Sequence, residues 1–306
     1  MRLGTLDLNL LVALDRLLTH RSITKAGDEM HLTQSAMSSA LRRLRDYFGD
    51  PLLVQVGRQL QLTPRAEALQ RPVRDILVQI ENAVSSGLEF DPSASGRDFR
   101  IVLSDYTLNV LAPLALALAA QENAKVRFRF LAQVHDPHLI IERGDADLLI
   151  APGILTSPDH PTEELYSDRF VAVAWSEGRY GRGCTLDLDS YLAAKHILMV
   201  PPVQITTFQT DFMFKLGIQR DIDVECYSFA AMAPLVIGTD RIATVHAGLI
   251  KALAGHLPLT VHKLPFDAPC IVEHLQWHRH MTQDPALIWL RGLFTRAAAP
   301  LNNNAA

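Results

Sequence analysis

From Phe99 to the C-terminus, runs that read as strands alternate with runs that read as helices, and this alternation limits what the chain can become more than any other feature. "FRIVLSD" (99–105), "KVRFRFLA" (125–132), "ADLLIAP" (146–152), "RFVAVAW" (169–175), "HILMV" (196–200), "DIDVECY" (221–227), "RIATV" (241–245) and "LTVHKLPF" (259–266) are short and apolar or β-branched. "CIVEHLQWHRH" (270–280) reads as a last strand. Helical patterns at 107–120, 137–143, near 208–217, near 230–237, 247–254 and 284–298 lie between and after them. Roughly 200 residues of such alternation predict an α/β body with parallel sheets, long enough for two lobes.

The first 90 residues have a different texture. Leu6, Leu10, Val12, Ala13, Leu14, Leu17 and Leu18 recur at helical spacing. Ser22 can cap a second helix, "SITKAGDEM", and Thr33 a third that runs to Phe48 and stops at Gly49. Three close helices with a tight link between the last two give a helix-turn-helix outline. Leu52–Val56, a Gly57-Arg58 turn and Leu60–Leu62 read as a small hairpin, or wing. Pro64 suits a first helical turn, and 65–88 continue as a long helix with Leu69, Val73, Ile76, Leu77, Ile80 and Val84 on one side. Pro72 is a point where that helix can kink. "DPSASGRD" (91–98) reads as a linker.

Of the residues, 48% are apolar and 20% charged, which excludes a disordered chain. The net charge of −4 hides an asymmetry. Residues 1–65 carry nine Lys/Arg against six Asp/Glu, net +3, leaving twenty against twenty-seven, net −7, for the rest. A basic module on an acidic body points to one part that meets a polyanion and another that meets something else. Cys184, Cys226 and Cys270 are far apart and without a CxxC, as in a reducing compartment. The run from Leu8 to Leu18 is broken by Asp15 and Arg16, so it reads as an amphipathic helix rather than a leader peptide. No apolar stretch is long enough to span a bilayer, and a cytoplasmic protein is expected.

In the third helix Met37, Leu41, Leu44 and Phe48 fall on one face, and Ser35, Ser38, Ser39, Arg42 and Asp46 on the other. Short hydroxyls early in a helix allow close approach to base edges, and arginines a turn or two later reach phosphates or guanine. A solvated surface helix would look the same. The capped helix before it, the wing and the segregated charge favour nucleic acid.

"SITKAGDEMHLTQSAMSSALRRLRDYFGDPLLVQVGRQLQLTP" resembles the winged helix-turn-helix of LysR-type transcriptional regulators, and the nodulation-regulator subgroup in particular. "LDLNLLVALDRLL" (6–18), "FRIVLSDY" (99–106), "GTDRIAT" (238–244) and "QWHRHMTQDPALIWLR" (276–291) extend the resemblance over nearly the whole chain. It implies a DNA-binding domain at 1–63, a linker and dimerisation helix at 64–90, and a periplasmic-binding-protein-like effector domain at 91–306. One lobe would hold about 98–166 and 271–306 and the other about 167–270, with crossings near 164–170 and 264–271.

By the same resemblance Thr33, Gln34, Ser35, Ser38, Ser39 and Arg42 read the major groove, and Arg58 reaches the minor groove. Ser35 and Ser39 depart from the proline and arginine frequent in the family, so base preference does not carry over. Arg43 and Arg45 are open between phosphate contact and solvation. The long helix implies pairing with a second copy, against packing on its own effector domain. A small ligand would lie between the lobes against Ser104, Asp105, Thr107, Pro152, Gly153, Pro202, Val203, Thr206, Thr207, Phe208, Phe229, Met232 and His246. Ser104 and Asp105 are alternatively plain helix caps, and Phe229 and Met232 plain core. His246 stands where relatives often carry proline, and is open between a ligand contact and a cap. Phe, Thr, Met and His together suit an aromatic or phenolic effector, with no other cofactor. The implied partners are promoter DNA, a second copy or a tetramer, and RNA polymerase, without a membrane. Activation is the family's implication; the residues do not separate it from repression.

Two rival readings are weaker. His135, Asp136 and His138, and later His274, Trp277, His278 and His280, lack a consistent metal-ligand spacing, and the chain has no GxSxG, P-loop or GxGxxG, so no enzyme is expected. A two-lobed solute-binding protein would use the same cleft, but would not need a helix-turn-helix.

Overall fold

In the computed structural model the described residues are 6–57, 59–85, 89–133, 135–201, 207–253 and 257–302. The chain divides into two compact units, one of residues 1–86 and 142–144, the other of the rest.

The first unit begins with α1 (Leu8–His20), α2 (Ile23–Glu29) and α3 (Gln34–Phe48). Each starts where a short polar side chain can take an orphan backbone N–H. Asp7 accepts from the Leu10 N–H at 2.8 Å, Ser22 from Lys25 at 3.3 Å and Thr33 from Ala36 at 3.2 Å. Gly49 ends α3 in the left-handed conformation, φ 60°, with its N–H on the Arg45 carbonyl. The α2–α3 turn is close because Gly27 faces it. A Cβ there would stand 3.0 Å from the Leu32 carbonyl oxygen. Leu10, Leu14, Leu17, Met37, Leu41, Leu44 and Phe48 form one core with Leu52, Leu53 and Leu62 of the hairpin. That hairpin is β1 (Leu53–Val56) paired antiparallel with β2 (Gln59–Leu62).

The long helix α4 (Pro64–Ser85) runs through Pro72. Its apolar stripe is divided. Ala66, Val73 and Leu77 join the core of the first unit, whereas Ile76 is 44% and Val84 82% exposed. Arg74 on α4 is buried and its Nε lies 2.8 Å from Oδ1 of the buried Asp15 on α1.

The second unit has two five-stranded sheets. The strands are β3 (Asp98–Leu103), β4 (Arg127–Ala132), β5 (Leu148–Pro152), β6 (Thr162–Asp168), β7 (Phe170–Trp175), β8 (Lys195–Met199), β9 (Asp221–Cys226), β10 (Ile242–His246), β11 (Leu259–Lys263) and β12 (Ile271–Gln276). Lobe 1 has the order β4-β3-β5-β12-β6 and lobe 2 the order β11-β7-β10-β8-β9. The chain passes between sheets after Asp168 and after Lys263. The sheets are mixed rather than wholly parallel as expected: β12 runs antiparallel to β5 and β6, and β7 antiparallel to β10 and β11. The two crossings cause this, because a strand that arrives from the other lobe has no crossover helix to turn it parallel.

Each sheet is covered on both faces. Ile101 and Leu103 face one core and Val102 the other; Ala172 and Ala174 are divided from Val171 and Val173 in the same way. The helix expected over 107–120 is two helices, α5 (Asp105–Val110) and α6 (Ala112–Gln121), broken at Leu111. Pro113 has no N–H for the Asn109 carbonyl, so the ladder cannot run through. The remaining helices are α7 (His138–Glu142), α8 (Leu188–Ala193), α9 (Phe208–Lys215), α10 (Phe229–Leu235), α11 (Ala247–Leu253) and α12 (Pro285–Asn302). The last strand is shorter than 270–280 and ends at Gln276, with a 3-10 turn at Arg279–Met281.

Candidate nucleic-acid interface and ligand cleft

The exposed face of α3 carries Gln34, Ser35, Ser38, Arg42 and Arg43, with Ser39 half-buried. Met37, Leu41, Leu44 and Phe48 hold the opposite face in the core, so these polar side chains project outward together. The Thr33 hydroxyl is engaged as the cap and lies 3.0 Å from that of Ser35. Arg43 makes an exposed ion pair with Asp7 at 3.1 Å, and the Leu10 N–H, helped by that pair, holds the Asp7 carboxyl below the usual range. Arg45 is exposed but engaged. Its Nε donates to the Pro51 carbonyl at 2.7 Å and its Nη2 to that of Leu53 at 2.8 Å, so it fixes the start of the hairpin to α3. Arg58 lies outside the described residues.

In the second unit the C-terminal ends of β3, β4, β5, β8 and β10 converge on a cleft of about 270 Å³. This is where open α/β lobes bind small molecules. Leu103, Ser104, Asp105, Ala132, Gln133 and Pro152 line it from lobe 1. Met199, Thr207, Phe208, Gln209, Phe229 and His246 line it from lobe 2, and Ile271 and Glu273 of β12 complete its floor. Ile154 and Tyr227, both largely exposed, stand on its opposite walls.

Ser104 caps α5 by accepting from the Thr107 N–H at 3.1 Å. Asp105 does something the sequence did not suggest. Its Oδ2 accepts from Ser228 Oγ at 2.7 Å and the Ala230 N–H at 3.1 Å, so a lobe 1 carboxylate caps α10 of lobe 2. His246 ends β10. Its ring stacks on Tyr106 with centroids 3.8 Å apart and planes at 16°, and meets Phe229 edge-on at 5.0 Å. It does not cap α11. That place is taken by Asp168, which accepts from the Gly248 N–H at 2.9 Å and from the Tyr106 hydroxyl at 2.8 Å. Gly248 is required there, since a Cβ would stand 2.8 Å from Asp168 Oδ2. Burial holds the imidazole of His246 neutral, its pKa brought down to about 3. Burial, with Asp168 nearby, pushes the Glu273 carboxyl up to about 8.

Seven of the residues expected in the cleft line it: Ser104, Asp105, Pro152, Thr207, Phe208, Phe229 and His246. Gly153 is beside it, packed on the His274 ring. Thr107 and Met232 are not in the lining. Both are fully buried, Thr107 as the third residue of α5 and Met232 as the fourth of α10 in the lobe 2 core, because a helix that starts at the cleft turns one side of its first turn inward. Pro202, Val203 and Thr206 lie outside the described residues. Gln209 and Glu273 were missed. Glu273 had a signal: it is an acid between Ile271 and Leu275 on the inward face of a strand. Among the described residues no group of three or more His, Cys, Asp or Glu could hold a metal ion.

A helix-turn-helix with a hairpin, and a separate two-lobed α/β unit with an inter-lobe cleft, define a ligand-responsive DNA-binding protein. Residues 8–67 match the profile of the bacterial regulatory helix-turn-helix protein, lysR family, and residues 93–299 that of the LysR substrate binding domain. The chain is 37% identical over 305 residues to Nodulation protein D 2 of Rhizobium leguminosarum bv. phaseoli, covering 98% of this chain and 94% of that one. It is 36% identical to Nodulation protein D 1 of Mesorhizobium japonicum, covering 99% and 96%. Its structure is similar to that of a probable transcriptional regulator from Pseudomonas aeruginosa, with TM-score 0.63, 27% identity and coverage of 95% and 97%. Full-length OxyR from the same organism shares the fold, with TM-score 0.66, 14% identity and coverage of 96% and 94%. The chain belongs to the LysR family of bacterial transcriptional regulators, and within it is similar to the nodulation proteins D. As a member it binds promoter DNA through its helix-turn-helix and responds to a small-molecule effector through the second unit. No helix among the described residues is long and apolar enough to cross a membrane.

Proposed function

We propose that this regulator reads its operator with Gln34, Ser35, Ser38, Ser39 and Arg42, adds Arg43 and Arg58 as phosphate or minor-groove contacts, and is switched by a small aromatic effector in the inter-lobe cleft. The observation that carries this reading is the pairing of two surfaces in one chain. One is a helix with small hydroxyls early and arginines later, held outward by a buried apolar face. The other is a cleft walled by Phe208, Phe229 and the stacked His246 and Tyr106 rings, suited to a planar ligand. Small serines leave part of the base discrimination to Gln34, Arg42, the wing and DNA shape.

The exposed Ile76 and Val84 of α4 support pairing with the same helix of a second copy, and two such dimers make a tetramer. Half-sites then fall one helical turn or a multiple apart. An effector that binds one lobe arrangement better than another changes the placement of the DNA-binding heads, and so DNA bending and contact with RNA polymerase in the cytoplasm. Activation is the outcome this reading favours.

The experiment is selection of genomic fragments on the purified chain, followed by mobility shifts of the enriched promoter from 50 to 200 mM salt. Selective, salt-sensitive binding at a spaced palindrome is expected. Equal binding to all fragments would overturn the reading.

A further inference from the structure

The cleft lining holds three side chains that each keep one buried polar atom without a hydrogen-bond partner among the described residues: Gln209, His246 and Glu273. All three are about 2% exposed. A buried polar atom left unpaired loses its hydration without compensation, so three beside one cleft mark groups that a ligand completes.

Their chemistry is determined by what surrounds them. The Gln209 amide donates Nε2 to the Thr244 carbonyl at 2.7 Å, which fixes its orientation and leaves Oε1 as a pure acceptor. The unpartnered atom of His246 is Nδ1, on a ring already clamped between Tyr106 and the Phe170 and Phe229 rings. Glu273 lies at a β-bulge, where the register of β12 against β6 shifts between Glu273 and His274, and its Oε2 is unpartnered. A bulge re-aims a side chain that regular pairing would stack in the sheet.

Charge is the second constraint. Among the described residues the cleft lining contains two carboxyls, Asp105 and Glu273, and neither lysine nor arginine. Asp105 is committed to the N-terminus of α10. A carboxylate ligand here would lose its hydration, find no lysine or arginine among the described lining residues and lie beside the Asp105 carboxylate. A neutral ligand with hydroxyl and carbonyl groups would instead donate to Gln209 Oε1 and accept from the protonated Glu273.

We propose that Glu273, seconded by Gln209 and His246, is the specificity-determining residue of the cleft: it admits uncharged ligands bearing hydroxyl or carbonyl groups and rejects carboxylates. This rests on the cleft being the effector site.

The test uses the full chain and three matched probe pairs: methyl 4-hydroxybenzoate against 4-hydroxybenzoate, methyl ferulate against ferulate, and 4-hydroxychalcone against its 4-carboxy analogue. Calorimetric titration at pH 7 is expected to give at least one neutral member binding tenfold or more tighter than its carboxylate. Glu273→Gln, which stays neutral and able to donate, is expected to keep neutral binding within threefold, and Glu273→Leu to lose tenfold. Carboxylates that bind as well as their neutral mates, no binding by any neutral member, or an unchanged Glu273→Leu affinity would overturn the proposal. Ala132→Trp separates this from the cleft itself, because Ala132 is an exposed residue of the lining and a tryptophan there fills the space. Binding indifferent to Ala132→Trp means the ligand is elsewhere. Binding abolished by Ala132→Trp without charge selectivity means the cleft stands and the role of Glu273 fails.

Discussion

Asp105 and Ser228 face each other across the inter-lobe cleft, carboxylate on hydroxyl at 2.7 Å, and the same carboxylate oxygen takes the Ala230 N–H at 3.1 Å. The first residue of a lobe 1 helix therefore stands in for a cap on a lobe 2 helix. Removal by Asp105→Ala strips two charge-assisted bonds, worth on the order of 1–2 kcal/mol in a partly exposed setting. Amide exchange in residues 229–235 is expected to speed up several-fold, while exchange in β10 stays as it was. Asp105→Asn, still an acceptor, should fall between. Unchanged exchange in α10 for the alanine variant would mean that the contact does not hold the lobes.

Two arginines three positions apart on α3 should behave oppositely. Arg42 is exposed on the proposed reading face, whereas Arg45 donates to the Pro51 and Leu53 carbonyls. Arg42→Ala should weaken operator binding by about tenfold or more and leave the melting temperature in place. If Arg42 contacts phosphate, the salt slope also falls by about one. Arg45→Ala should lower the stability of the first unit by about 1–3 kcal/mol, because two strand-entry carbonyls lose their donor. Parallel mobility-shift and thermal-melting measurements check both. Equal loss of stability in the two variants would sink the division of labour.

Glu273 and His246 make the second unit sensitive to pH from opposite ends. Glu273 has a folded pKa of about 8, raised by burial above the ordinary carboxylate value of 4.5. The fold therefore holds a proton that the unfolded chain releases, and this contribution is fully present below about pH 4.5 and lost as pH rises towards 8. His246 is lowered to about 3 from 6.5, so its contribution is present above 6.5 and lost as pH falls towards 3. Melting curves of Glu273→Gln against the parent should diverge between pH 5 and 8, with the variant gaining roughly 1 kcal/mol per unit at most. Parallel curves over that range would show that Glu273 ionises freely.

The helices and strands were legible because their signals are local. Asp7, Ser22 and Thr33 cap within three residues, and Ile101, Val102 and Leu103 alternate between two cores. The break at Leu111 was legible too, from Pro113, and was overlooked in an otherwise apolar run. The antiparallel strands were not, since a strand that crosses between lobes looks like any other. Within the cleft, residues next to strand ends were found by position alone. Gln209 and Glu273 escaped because their roles depend on which atoms remain unpaired, and pairing is set by the Thr244 carbonyl and by the bulge in β12. The bonds of Arg45 were not legible because its partners, Pro51 and Leu53, lie beyond the helix that carries it.

Arg74 ties the long helix to the first helix through Asp15, which is 3% exposed. The same guanidinium donates to Thr19 Oγ1 at 3.1 Å, so two of its nitrogens are spent on α1. Breaking one side of a buried ion pair leaves the other charge without its main partner, at a cost of about 3 kcal/mol or more, whereas replacing both by apolar groups is often neutral. Arg16 stands 3.4 Å from Asp15 and should take up part of the loss. Arg74→Met alone is therefore expected to destabilise the first unit by about 2–4 kcal/mol and to weaken operator binding by loosening α4 from the helix-turn-helix. Arg74→Met with Asp15→Leu should recover at least half of that stability. Denaturant titrations of the two variants decide the matter: a double variant no more stable than the single would show that packing around Arg74, and not the pair, holds α4 in place.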